Sequence, residues 1–402
     1  MHSLKIFEKN IPYLLPFLLM FYRGLADFTV LFIGILFIYR SYKNSDWLWV
    51  KEPWLKMSLF FVFYLLTVNV FISIDSRDSF FYAITFLRWP IFAAALAFWL
   101  LKKEGSVEKF LLGVLIVTAF FVLDVWYQFF QGVDIFGYSS ANSGRLTGPL
   151  RDNVVVGIFI TKYLSILLTS VIIFHRFRNK SLLISSLFAF LLIAFLTVFI
   201  TGERMSFILL ISSFLIIFLG IPVPIKLKSV FFVSSIILLI SLSLIMSNYS
   251  PLVFERAITS SIDKLLYFSN SDYGKVFNAA YLTWLENPIL GGGLHQFKDL
   301  NTINTPIIGK ILHPHNHPLS LMVETGIIGL LLFYLLIFVI IKNMLTPLLN
   351  RKSWFAAVLC FNLLYLCFFP FMTHYSFQHN WMNATNWLVV GLVLAISKRN
   401  DV

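Results

Sequence analysis

The chain has 402 residues, 59% of them hydrophobic and 12% charged, with 45 phenylalanines and a formal net charge of +12. A soluble chain of this length would divide into two or three domains, and so apolar a composition excludes that class. Apolar runs of about 20 residues recur along the chain, each long enough to cross the hydrocarbon of a bilayer. Their continuity argues for helices, because the strands of a membrane barrel would alternate.

In chain order, "MHSLKIFEKN" leads at once into an apolar block that no small-residue cleavage site closes, so it reads as a retained membrane segment rather than a signal peptide. Spans are predicted over 11–22, 27–39, 55–74, 80–101, 110–130, 154–174, 182–200, 205–221, 229–247, 319–341, 353–373 and 380–396. The first two are short and meet at "YRGLAD", as a tight hairpin or as one interrupted helix. The expectation is an all-α integral membrane protein of about twelve transmembrane helices, a single polytopic domain over 1–402. Cys360 and Cys367 lie seven apart in one apolar segment, on a shared helix face, and make neither a disulfide framework nor a zinc site.

Charge then sets the expected orientation. With the N-terminus in the cytoplasm, the cytoplasmic connections hold Lys5, Lys9, Arg40, Lys43, Lys51, Lys56, Lys102, Lys103, Lys109, Arg176, Arg178, Lys180, Lys226, Lys228, Lys342, Arg351, Lys352, Lys398 and Arg399. That is the positive-inside pattern, so much of the basic balance is topological and nucleic acid is not needed to explain it. Two external segments remain, 131–153 and the long loop 248–317 between the ninth and tenth spans. Loops of that length in a compact chain usually serve a function. Neither a short-period repeat nor the inverted symmetry of transporters is visible.

Chemistry-bearing residues gather on the external side. Arg145 and Arg151 flank "RLTGPLR"; Arg204 sits in "FITGERMSF", a short turn between apolar runs; Arg256 and Lys275 lie in the long loop. Each reads as an interfacial anchor whose head snorkels to the lipid surface, or as one part of a clamp for pyrophosphate. Arg204 favours the clamp, because its turn holds a bidentate guanidinium at the bilayer edge. "GGGLHQF" lacks the following Lys-Ser/Thr of a phosphate loop and reads better as a helix-ending turn. Arg88, Asp124, Lys162 and Glu324 fall within or at the ends of spans and are left between buried pairing and function.

"ILHPHNHP" places His313, His315 and His317 at alternate positions. In an extended segment they would share one face, as a metal tripod. The other readings are a polar collar, or one of them as a general base matched to a sugar hydroxyl near neutral pH. No cysteine or acidic fourth ligand lies nearby, and Pro318 suits the first turn of the helix that follows.

His315-Asn316, nine residues, then Gly326-Ile-Ile-Gly329 resembles the H-[NSQ]-x9-G-x-x-G signature of the bacterial O-antigen ligase family. "TGERMSF" around Arg204 is similar to that family's T-x-x-R, and "ENPILGGGLHQF" to the element preceding its histidine. The motifs cover about 140–335, and the hydropathy pattern extends the likeness to the whole chain. The resemblance implies a metal-independent, cofactor-free glycosyltransferase of the bacterial inner membrane with its active site on the periplasmic face. Its donor would be an undecaprenyl-pyrophosphate-linked polysaccharide and its acceptor lipid A–core, as in lipopolysaccharide biosynthesis. Residue by residue it implies that Arg204 binds donor pyrophosphate and His315 activates the acceptor hydroxyl; beside them, His313, Asn316, His317, Arg145 and Arg151 read as supporting residues. The family's second arginine aligns with Lys275 of "YGKVF", a departure that loses the bidentate fork, so either Lys275 or Arg256 takes that role. A lipid-linked polysaccharide polymerase is the alternative within enzymes, and a lipid-linked sugar flippase the alternative outside them.

Overall fold

A computed structural model describes residues 2–140, 144–175, 180–304, 313–372 and 379–399. Arg176 and Arg178 of the expected cytoplasmic connections lie outside them, as does 373 at the end of one predicted span. The described chain is helical: α1 (His2–Met20), α2 (Arg23–Asn44), α3 (Pro53–Ile72), α4 (Ser76–Leu100), α5 (Ser106–Gln131), α6 (Val156–His175), α7 (Lys180–Ile200), α8 (Arg204–Gly220) and α9 (Ile225–Tyr249). The long loop is itself helical. Pro251–Phe254 runs through a π turn, Glu255–Thr259, into Ser260–Leu266 as α10, followed by α11 (Asp272–Glu286) and α12 (Phe297–Asn304). The bundle ends with α13 (His317–Asn350), α14 (Trp354–Phe368) and α15 (Asn380–Ser397).

Every predicted span falls on a helix. Among the described residues, eight helices are long and apolar enough to cross a membrane, namely α2 to α7, α9 and α13. α8 and α14 are apolar but shorter, at 17 and 15 residues. This is a multi-pass all-α membrane protein. Exposure supports the same environment: only 17% of the apolar window of α9 is buried, and Ile237, Ile240 and Leu244 project outward from it. Such a face is stable against lipid and not against water.

At the centre stands α15, buried from Trp381 to Ser397. It packs against α2, α4 and α14, while α1 lies along α5 and α13 along α3. Buried polar side chains need partners, and two asparagines of α15 meet charged ones: Asn386 Oδ1 accepts from Lys162 Nζ at 2.7 Å and Asn380 Oδ1 from Arg88 at 2.6 Å. Arg88 also pairs with Asp27 at 2.9 Å. Lys162 and Arg88, left open by the sequence, thus make buried polar contacts between helices. Glu324 likewise accepts from the backbone amides of His295 and Phe297, and Asp124 from that of Ile135 at 2.8 Å. Cys360 and Cys367 are both buried as free thiols.

Candidate functional site

The turn between α7 and α8 is Thr201–Glu203, held in shape by Gly202 at φ 67°. A side chain there would be strained and would meet Gly144 O at 2.8 Å, so glycine is required. The turn anchors two cations. Arg256 Nε donates to Gly202 O at 3.1 Å, and Arg204, the first residue of α8, donates from Nε to Arg256 O at 2.8 Å and from Nη2 to Ser260 Oγ at 2.7 Å. Arg256 lies in the π turn of α10, which departs from the regular helical hydrogen-bond pattern.

Arg145 joins them from the preceding strap, whose Leu146 N–H donates to Thr201 O at 3.1 Å. Its guanidinium donates to Val154 O. Lys264 completes the group, close enough to Arg204 and Arg256 that their charges, after burial, push its ammonium down. Burial first, then Arg145 and Arg204, lower Arg256 from its ordinary range, only partly opposed by Tyr273 and Glu203. Glu203 is the acidic group inside the cluster. Burial raises its carboxyl against Arg145 and against hydrogen bonds from Gly157 N–H at 2.6 Å, Ile158 N–H at 3.2 Å and Ser206 Oγ at 2.7 Å. Cations packed closely enough to disfavour one another form a receptor for a multivalent anion.

Tyr273, in the first turn of α11, links this cluster to the histidines. Lys264 Nζ lies 5.3 Å from its ring centre, and the His315 ring stands edge-on to it at 6.3 Å. His315 has φ 51°, a left-handed conformation uncommon for a residue with a side chain. It is held from both sides. Its N–H donates to His313 Nδ1 at 3.3 Å, the two rings lie 4.1 Å apart, and Asn316 caps α13 by accepting from Leu319 N–H at 3.0 Å. Asn316 Nδ2 also ties the cap to Pro370 O at 2.9 Å and Met372 O at 3.3 Å. His315 is open on one side, yet the protein around it lowers its basicity below that of an ordinary histidine. His313 is lowered to about 4, by burial and by the neighbouring His315. Both rings are therefore neutral, and able to accept a proton, at neutral pH.

His317 does not share this face. It begins α13 and sits against Phe333, ring centres 5.2 Å apart, near Lys162. The three histidines do not converge as a tripod, and no group of three or more His, Cys, Asp or Glu among the described residues is placed to hold a metal ion. Lys275 is exposed on α11, and its ammonium has no partner among the described residues. Arg151 lies apart from the cluster, over Tyr138 at 5.7 Å. Sequence reading thus named Arg145, Arg204, Arg256, His313, His315 and Asn316, which the fold assembles, and missed Lys264, Tyr273 and Glu203. Tyr273 stands two residues before Lys275 in the motif already singled out, and nothing local marks it.

The glycine-rich element is a helix partner. α13 breaks at Gly326, φ 65° and ψ −174°, leaving amides and carbonyls that an intact helix would pair. Gly292 N–H donates to Val323 O at 2.9 Å and Gly293 N–H to Glu324 O at 3.0 Å, while Ile327 and Ile328 donate to Pro288 O and Ile289 O at 3.0 and 3.3 Å. Tyr64 and Asn69 of α3 take the carbonyls of Thr325 and Glu324 at 2.8 and 2.6 Å.

Two comparisons with known proteins bear on the chain. The family model described as O-antigen ligase matches residues 188–334, which take in Arg204, Arg256, His315 and the glycine pair. A protein of Rickettsia conorii (strain ATCC VR-613 / Malish 7), provisionally named a polysaccharide ligase, is 29% identical over 120 residues. That match spans 28% of this chain and 28% of the Rickettsia protein.

Proposed function

From the match of residues 188–334 to the O-antigen ligase family model, we propose a polysaccharide ligase that moves a glycan from an undecaprenyl-pyrophosphate carrier to lipid A–core. The observation that carries this reading is the cation cluster of Arg145, Arg204, Arg256 and Lys264, joined through Tyr273 to His315. Arg204 and Arg256 bind the donor pyrophosphate. His315 takes the proton of an acceptor hydroxyl as its oxygen bonds to the anomeric carbon of the donor sugar. The bond from that carbon to the pyrophosphate breaks, and the electron pair leaves on a phosphate oxygen inside the cluster. Pyrophosphate is already a good leaving group, so positioning and preorganised charge supply the catalysis and no metal is required of the mechanism. A neutral His315 is the form this step needs.

A lipid-borne pyrophosphate lies at the membrane surface, and a saccharide acceptor arrives from water. The site therefore belongs at the edge of the bundle, on the periplasmic face of the inner membrane, with both termini cytoplasmic. The test is the glycan inventory of a deletion strain. Long chains retained on the carrier, with transfer restored by the intact chain and not by folded Arg204→Ala or His315→Ala variants, bear the reading out. Single repeat units on the carrier would mark a polymerase instead, and vesicles that flip the carrier without bond formation a transporter.

A further inference from the structure

Beside this site lies a cavity of about 650 Å³ between the α1–α2 junction and the strap 144–155, within the range of small-ligand sites of roughly 300–1,000 Å³. The residues that give it character are Tyr22, Arg23, Phe136, Tyr138, Arg151 and Trp381. Tyr22 and Phe136 are 61% and 54% exposed, so aromatic surface is left open beside two guanidinium groups. The one acidic group in the lining, Asp27, is already paired with Arg88 at 2.9 Å. Arg23 makes no side-chain hydrogen bond or ion pair among the described residues, and the Arg151 guanidinium has only the Tyr138 ring. Arg151 also holds φ 57°, a strained backbone of the kind that collects at functional sites.

Two connections tie the cavity to the reaction centre. The strap carries Arg145 into the cation cluster and Arg151 into the cavity. His379, capping α15, lies within electrostatic reach of both Arg23 and His313. The cation cluster meets His315 through Tyr273, whereas the cavity approaches it through His379 and His313. Displacement at an anomeric carbon brings the nucleophile in away from the leaving group, so an acceptor should enter from a side other than the pyrophosphate clamp.

We infer that this cavity is an acceptor subsite. It holds an acceptor sugar bearing a phosphate or carboxylate, with Arg23 and Arg151 on the anion and the open aromatic rings against the pyranose. The electron-rich ring faces suit the C–H faces of a sugar, and paired guanidinium groups suit a planar or tetrahedral oxyanion. A bare lipid headgroup would use the arginines and leave the aromatic walls idle.

The inference rests on the ligase reading, and one experiment separates the two. Wild type, Arg23→Gln, Arg151→Gln and the double variant are purified and given carrier-linked donor and lipid A–core extracted from a deletion strain. The acceptor is supplied intact, dephosphorylated, or with its carboxyls reduced. No transfer by wild type to the intact acceptor overturns the ligase reading, and the subsite with it. With wild type active, each single variant should raise the acceptor KM about tenfold, leaving the donor KM within twofold. Removing the recognised anion should raise the wild-type acceptor KM comparably and add nothing in the double variant, and whichever treatment does so identifies phosphate or carboxylate. An unchanged acceptor KM, a raised donor KM, or equal loss on all acceptor forms overturns the subsite while the ligase reading stands. Should the double variant not fold, the exposed single variants carry the same comparison.

Discussion

Arg256 and Lys275 carry the same charge in the same long loop, and only Arg256 reaches Arg204. Alignment to a family motif favours neither decisively, because Lys275 occupies the expected position while Arg256 keeps the bidentate fork. Position in the fold separates them: Arg256 is half-buried against the Thr201–Glu203 turn, and Lys275 stands exposed. Arg256→Ala should cut transfer at least a hundredfold, since loss of charge-assisted hydrogen bonds of about 1.5–3 kcal/mol each falls on the leaving group. Lys275→Ala should stay within about threefold, and in vitro transfer with matched protein amounts measures both. The reverse order would return the role to Lys275. His315 was singled out by its resemblance to the family's H-[NSQ]-x9-G-x-x-G signature. Tyr273 and Lys264 were not, because which loop residues meet a given arginine depends on how α10 and α11 fold back. Histidine chemistry also fixes a pH dependence. The protein around His315 disfavours its charged form, so the basic form survives below the ordinary value of about 6.5. Turnover should stay level as pH falls to that value and decline only at lower pH. An acid limb centred above 6.5 in a kcat profile would contradict the assigned base.

At the scale of elements, the spacing from His315 to Gly326 describes a short helix with two fixed ends. Asn316 caps its start and ties it to 370–372, and the break at Gly326 ends it where the 288–293 segment supplies replacement hydrogen bonds. The sequence shows the two glycines, but the reason for Gly326 is a pairing with a distant segment that no local pattern announces. Gly326→Ala would place a Cβ 2.1 Å from Ile289 O in a backbone conformation essentially confined to glycine. Gly329→Ala meets Thr325 Oγ1 at 2.1 Å and Thr325 Cβ at 2.3 Å, a clash within its own helix but without a positive φ. The first substitution should therefore lower the thermal midpoint in detergent markedly, by about 1–3 kcal/mol of strain together with lost pairing, and abolish transfer. The second clashes too, but carries neither the backbone strain nor the lost pairing, and should cost less. Equal melting of the two variants would show that the break is not what positions His315.

Across the whole molecule, two sets of charged contacts stand apart from the Arg88–Asp27 and His295–Asp78 pairs. One set binds the N-terminal segment, three connections and the C-terminal segment together: Glu8 with Arg40 and Lys103, Arg40 with Asp46, Glu52 with Lys398, Glu108 with Arg399, and Arg351 with the carbonyl of Ser397. The other gathers Arg145, Arg204, Arg256, Lys264 and the histidines. All the basic residues of the first set come from connections that hydropathy and the positive-inside rule place in the cytoplasm, and those of the second from segments they place outside. Hydropathy made the helices legible, since each predicted span falls on one, whereas the helical content of the long loop was not, because short polar helices carry no membrane-length signal. Orientation is open to direct measurement. Both native cysteines are buried in α14, which makes the chain a quiet background for labelling. Asp263 and Glu104 are both exposed, one in α10 and the other in the α4–α5 connection. A membrane-impermeant maleimide added to intact spheroplasts should label an Asp263→Cys variant and spare Glu104→Cys until the membrane is opened. The opposite pattern would put the cation cluster in the cytoplasm, out of reach of an acceptor on the periplasmic face, and the proposed reaction would fall with it.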